Sequence, residues 1–295
     1  IRPGLQQGCQ YSRTIVMEHV PIPLIDFHVH LFPDRMFNAI RNAFIKDYNW
    51  DVRYKMNADE CVQYLHDHDV EYIVYSNYAH KKGIAASLNR WNLDILDAHP
   101  GTFCFGAFHP DDDDLEHVKE FLQHPRAMGI KLQLLVQKFY PHDERLFPLY
   151  EYIITRGKRL LMHTGTGPVG NEFVGFEHFK RALEKYPQLP VNVAHMGAYE
   201  YSEFISLLDT HEKLFLDTAY TFFPGTEGGF NLGKKVLENY SDRIVYGSDF
   251  PNIIFPREDE LNSLDSLELS ESFYSKVFYE NGLQLLRDSC PDALV

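Results

Sequence analysis

Eight short apolar runs recur along the chain with helix-like stretches between them, and no other feature narrows the fold as far. The runs are Leu24 to His30, Val70 to Tyr75, Thr102 to Phe108, Ala127 to Leu134, Arg159 to His163, Val191 to His195, Leu214 to Ala219 and Ile244 to Asp249. Strand signals alternating with helix signals mark repeated βα units and a parallel sheet. Several runs are apolar almost throughout, which suits strands buried on both faces. Eight such units predict an α/β fold of the (β/α)8 TIM barrel type. A barrel of this kind needs about 250 residues, so the 295 present are read as one large domain spanning 1–295.

The intervening segments read as helices. Asn57, with Glu60 three residues on, forms a capping box ahead of Val62 and Leu65. Ile84, Leu88, Trp91 and Ile95 share one helical face, which His99-Pro100 ends. Similar periodicity predicts helices around Leu115–Leu122, Leu149–Ile153, Phe179–Tyr186, Phe204–Leu208 and Leu232–Tyr240. Two segments fall outside the repeat. Leu31 to Asn57 is an insertion after the first strand, with a helix over Met36 to Phe44; its Tyr48, Trp50 and Tyr54 either wall a pocket or anchor a loop. The tail from Leu261 to Leu286 is expected to form one or two extra C-terminal helices packed outside the barrel.

Charge removes some function classes. There are 42 acidic residues against 28 basic ones, a net of −14 with histidine neutral, and such a surface repels nucleic acid and anionic lipid. No secretory core and no run of 18 apolar residues appears, so a membrane partner is not expected and a cytoplasmic location is. Cys9, Cys61, Cys104 and Cys290 are scattered and read as free thiols in a reduced compartment. No nucleophile elbow, P-loop or dinucleotide fingerprint is present.

The polar residues of the apolar runs collect at their C-terminal ends, where a barrel opens its active site. In Asp26-Phe27-His28-Val29-His30, a strand's period of two points both histidines to one side, and counts Asp26 with them. Taken alone, this pair is either a metal site or two hydrogen-bonded core histidines. His163, His195 and Asp249 end later runs in the same way. Side chains distant in sequence converge when a barrel closes, and borderline divalent ions such as Zn2+ favour imidazole with a carboxylate.

Here the chain resembles a known group. IDFHVH, GIKL, LMHTGTG, VNVAHMG and YGSDFP, in that order over nearly the whole length, resemble the amidohydrolase superfamily. Within it they resemble the amidohydrolase-2 branch, which includes aminocarboxymuconate-semialdehyde decarboxylase and lactonase-like hydrolases. The segment FYENGLQLL, with Asn281, is similar to that branch's C-terminal helix. The resemblance implies a metal bound by His28, His30, His163 and Asp249, with His195 acting on the substrate and Asp249 also handling a proton. Lys131, taken to end the fourth strand, matches the position where binuclear members carry a carboxylated lysine between two ions. The expectation is one divalent ion, Zn2+ before manganese, iron or cobalt, and an unmodified Lys131 that binds an anionic group or a developing oxyanion; the alternatives are two ions about a carboxylated Lys131, or a buried amine paired with a carboxylate.

Lesser candidates surround this set. Asp26 is expected to brace a ligand or a neighbouring strand. Thr164, Gly165 and Gly167 either let backbone approach a substrate or form an ordinary turn. His109, Tyr220 and Phe223 are pocket candidates. The expected activity is hydrolysis of a small lactone, amide or ester by metal-activated water. Two alternatives stand beside it: nonoxidative decarboxylation of a small carboxylic acid, and a barrel that binds metal without catalysis. The expected partner is a small-molecule substrate, and the C-terminal helices and aromatics leave room for a homodimer.

Overall fold

A computed structural model describes residues 19–112, 114–223 and 229–294. Its strands are β1 (Leu24–His30), β2 (Val70–Ser76), β3 (Thr102–Ala107), β4 (Ala127–Gln133), β5 (Arg159–His163), β6 (Val191–Val193), β7 (Leu214–Asp217) and β8 (Ile244–Val245). They form one eight-stranded sheet in sequence order, each pair parallel, which is the (β/α)8 barrel. The seam between β8 and β1 lies beyond the short β8. Phe27 N donates to Tyr246 O, His30 N donates to Phe250 O, and Asp249 N donates to His28 O.

After β1 come α1 (Asp34–Tyr48) and α2 (Ala58–His66), so the insertion is a helix followed by a loop. The capping box of α2 is present: Glu60 N donates to Asn57 Oδ1 at 2.9 Å and Asn57 N to Glu60 Oε2 at 2.8 Å. Next are α3 (Ala85–Ala98), α4 (Glu116–Phe121), the single turn α5 (Leu134–Gln137), α6 (Phe147–Arg156) and α7 (Phe176–Lys185). The chain continues through α8 (Tyr201–Ser206), α9 (Lys234–Asn239), α10 (Arg257–Asp265), α11 (Glu271–Ser275) and α12 (Asn281–Ser289). Among the described residues, no helix is long and apolar enough to cross a membrane. Cys61, Cys104 and Cys290 are free and buried, and Cys9 lies outside the described residues.

Four local expectations differ from the structure. The sixth and eighth strands stop at Val193 and Val245, so His195 and Asp249 stand on the turns that follow. The fourth strand continues two residues past Lys131, which therefore sits inside the barrel wall and not at its rim.

The third difference is in β1. Between Asp26↔Ile73 and Val29↔Tyr75 the first strand advances three residues while its partner advances two, which is a bulge. Ile25 and Phe27 pack with Val74, Phe105, Leu161 and Val245 along the barrel axis. The bulge resets the alternation, so that His28 also faces inward, whereas Asp26 is turned toward Ser248 and Arg257 of the outer layer.

The fourth difference is the tail. One helix, α10, does pack outside, but α12 crosses the N-terminal mouth of the barrel. Leu285 and Leu286 join the axial cluster, Asn281 Nδ2 donates to Ile244 O at 2.7 Å, and Lys158 Nζ donates to both Ala127 O and Ser289 O.

Candidate metal centre

His28 and His30 stand at the C-terminal end of β1, fully or nearly buried. Each offers its Nδ1 to an oxygen that can only accept or readily accepts. His28 Nδ1 lies 2.9 Å from Asp217 Oδ2, and His30 Nδ1 lies 3.3 Å from both the carbonyl and the hydroxyl oxygen of Ser76. A proton on Nδ1 in each ring leaves the lone pair on Nε2. Both Nε2 atoms then converge on one carboxylate oxygen, Asp249 Oδ1, at 3.6 Å from His28 and 3.0 Å from His30. Without an ion His30 Nε2 can donate to Asp249 Oδ1; with a cation in the gap both Nε2 lone pairs can face it instead.

His28, His30 and Asp249 therefore fit a divalent ion: their ligand atoms lie within 4.8 Å of one another, and two imidazoles with a carboxylate suit such an ion. The backbone around these residues is unusual. Asp249 has φ of 60° and Tyr220, after β7, has φ of 57°; His195 and Met196, after β6, have φ of 57° and 51°. Non-glycine residues in this region cost about 1 kcal/mol or more each, and such strain gathers at functional sites. Gly247 is needed beside them, since a Cβ there would stand 2.6 Å from the Cβ of His28.

His195 is brought to the centre, with its ring 5.1 Å from that of His28 and 4.8 Å from that of His163. Its Nδ1 donates to Ala219 O at 2.9 Å, which leaves Nε2 as a proton acceptor in the neutral ring. His163 is at the same wall, but its nitrogens lie outside the group of three. Nε2 donates to Gly167 O at 2.9 Å, and Nδ1 lies 3.3 Å from Gln133 Nε2. Lys131 is fully buried with Nζ 3.3 Å from His28 Nε2.

Burial and neighbouring charge set the protonation of these groups. Burial, joined by the Lys131 ammonium, pushes His28 well below the usual imidazole range, so it is neutral at neutral pH. Burial, with His195 and Lys131 nearby, does the same to His163. Burial lowers Lys131 to about 8 against the pull of Asp217 and Asp249. Burial raises Asp217 to about 6, partly offset by His195. For Asp249 burial acts upward, but with no ion bound the hydrogen bond that His30 Nε2 can donate, joined by the nearby His30 and His195 rings, outweighs it and holds the carboxyl below its usual range.

Asp217 is the residue that sequence reasoning passed over. It ends the apolar run LFLD just as Asp249 and the histidines end theirs, so the same signal would have found it. The lesser candidates are divided. Asp26 bonds Ser248 through both its backbone N–H and its hydroxyl, and so braces the turn leading to Asp249, not a histidine ring. Gly165 and Gly167 let the loop after β5 approach residues 197 and 198 closely, and a Cβ at Gly165 would meet Ala198 O at 2.4 Å. Thr164 is buried with its hydroxyl unpartnered among the described residues, while His109 Nδ1 accepts from Asp111 N. Tyr220 stacks on Trp50 of the insertion at 5.7 Å, and its hydroxyl is buried with no hydrogen-bond partner among the described residues. Phe223 stacks on Phe255 at 3.6 Å. Tyr54 anchors the insertion, packing on Phe250 while its hydroxyl accepts from Arg257 N. Trp50 thus reaches Tyr220, and Tyr54 reaches the residue after Asp249.

The amidohydrolase family model, Amidohydro_2, matches residues 25–287. The chain belongs to this amidohydrolase family. No curated protein matches the chain. Among solved structures, an uncharacterised TIM-barrel protein of Bordetella bronchiseptica is similar over 90% of this chain and 99% of its own, with TM-score 0.70 and 18% identity. A probable 2-pyrone-4,6-dicarboxylic acid hydrolase of Acinetobacter baumannii, holding citric acid, has TM-score 0.63 and 13% identity over 90% of this chain and 99% of its own. The 5-carboxyvanillate decarboxylase of Novosphingobium aromaticivorans, complexed with manganese and a nitrobenzoic acid, has TM-score 0.65 and 14% identity over 90% of this chain and 96% of its own. These likenesses concern the fold; the family is metal-dependent, and the structures similar to this chain carry names of both hydrolases and decarboxylases.

Proposed function

We propose that this amidohydrolase hydrolyses a small lactone, amide or ester with one divalent ion, zinc being the ion its two imidazoles and carboxylate suit best. The observation that carries the reading is the convergence of the His28 and His30 Nε2 atoms on Asp249 Oδ1. The chemistry such an ion supplies when bound is a lowered pKa for water and a polarised carbonyl. His28, His30 and Asp249 hold it, and His163 joins them only by giving up Gly167 O. Lys131 remains an unmodified amine beside His28.

Asp249 accepts the proton of the attacking water and returns it to the leaving oxygen or nitrogen. His195, with Nδ1 held by Ala219 O, takes a proton at Nε2 when neutral; only the resulting imidazolium can donate to an oxyanion from that atom. Its polarising role therefore belongs to the imidazolium form. Trp50, Tyr220 and Tyr78 supply aromatic surface around the substrate, Tyr78 standing edge-on to His30 at 6.2 Å.

The test is turnover of a panel of lactones, esters and amides by chelator-stripped protein before and after zinc is restored. Zinc-dependent hydrolysis that disappears in His195→Ala, with zinc still bound, supports the reading. Equal rates with and without metal overturn it, and carbon dioxide release from carboxylated aromatics without any hydrolysis would replace hydrolysis with decarboxylation.

A further inference from the structure

Two groups of potential ligands share His28 in this barrel: His28, His30 and Asp249, and also His28, His195 and Asp217. The second group is already joined by hydrogen bonds. Asp217 is completely buried at the end of β7 and uses both carboxylate oxygens. Oδ2 faces His28 Nδ1 at 2.9 Å, while Oδ1 accepts from His195 N at 2.8 Å and from Ala219 N at 3.2 Å. The Ala219 carbonyl in turn accepts from the His195 ring. On the other edge of the His28 ring, the Lys131 ammonium lies 3.3 Å from Nε2. A carboxylate on Nδ1 and an ammonium on Nε2 require the same tautomer, with the proton on Nδ1 and the lone pair on Nε2.

We propose that Asp217 is a positioning residue, which holds His28 in the tautomer that offers Nε2 to the ion and fixes the left-handed His195 turn through the same carboxylate. The cluster of His28, His195 and Asp217 is accordingly a support for the first ion and not a second ion site. This inference rests on the metal reading above. It goes beyond that reading by giving two catalytic elements a common mooring on β7. A carboxylate that orients a ligating histidine through its other nitrogen also raises that ligand's basicity, and losing one typically weakens metal binding ~10–100-fold.

The substitution Asp217→Asn separates the two tasks. Its side-chain oxygen can still accept from His195 N and Ala219 N, but its amide would donate to His28 Nδ1. The His28 proton would then move to Nε2, with the Lys131 amine giving up a proton to accept from it, and would block the ligand lone pair there. Two measurements decide the matter. In 15N-histidine-labelled, metal-free wild-type protein, with the His28 signals assigned by their loss in His28→Gln, the ring should carry its proton on Nδ1, and in Asp217→Asn on Nε2. In zinc titrations against a competing chelator, the wild-type chain should bind one ion, and Asp217→Asn should bind it ~10–100-fold more weakly. A wild-type ring protonated on Nε2, unchanged zinc affinity in the variant, or a second tightly held ion that the variant loses would each overturn the inference. Should Asp217→Asn not fold, the wild-type tautomer and stoichiometry still decide. A wild-type chain that binds no zinc would defeat the proposed function, whereas the His28 tautomer in the metal-free protein judges this inference separately.

Discussion

At the C-terminal end of the strands, β6 and β8 stop early and hand the chain to left-handed turns carrying His195 and Asp249, so that polar groups meet in a buried space. At the N-terminal end the same barrel is stoppered by α12, whose Leu285 and Leu286 join an apolar axial cluster. One end accepts strain and desolvated charge, and the other supplies dry packing that holds the strands in register. Residues near the first should therefore govern turnover with small effects on stability, and residues of the second the reverse.

The largest expected effect is at Asp249. On the proposed reading, replacing it by Asn removes a ligand and the proton acceptor together, and kcat/KM should fall by about 10³-fold or more. The urea midpoint should move little; a variant that kept its activity would break the comparison at its polar end. Next is Leu286→Ala, where the helix that closes the opposite mouth loses a fully buried side chain. Urea unfolding should show a loss of about 2–5 kcal/mol, with KM for any substrate found unchanged. A large change in KM would mean that the two ends are not independent.

Asp26 tests the boundary between the two regions through pH. Burial raises its carboxyl to about 6 from 3.8, against the attraction of Arg257. Between about pH 4 and 6 the folded chain keeps a proton that the unfolded chain releases, so stability falls as pH rises through that window. Asp26→Asn should flatten its share of that fall, up to about 3 kcal/mol, as read from urea midpoints at pH 4 and pH 6.5. An unaltered pH profile would show that Asp26 does not titrate in that range. The smallest effect belongs to Tyr220→Phe. Its hydroxyl has no hydrogen-bond partner among the described residues, so stability should hold, while KM should rise a few-fold, about 1 kcal/mol, if the hydroxyl meets substrate.

Much of this was legible along the chain because apolar runs and their polar ends are local signals. The His28 and His30 pair illustrates the limit. Period-two counting points both rings one way, and they do face together, yet the count also turned Asp26 inward. The bulge that turned Asp26 outward exists only in the pairing of β1 with β2, which no reading of β1 alone contains. Lys131 was taken as a strand terminus because the apolar run blurs into the next turn, whereas the ladder to β5 carries the strand on to Gln133. The tail read as an outer helix since an amphipathic segment does not reveal which apolar surface it will cover.

The sequence by itself determined that eight βα units close into a barrel and that histidines and an aspartate gather at one end, because periodicity and polarity are written in neighbouring residues. Tertiary structure alone decided which ring nitrogens face Asp249, since that depends on hydrogen-bond partners brought from elsewhere. Ser76 reaches His30 from 46 residues away, and Asp217 reaches His28 from 189.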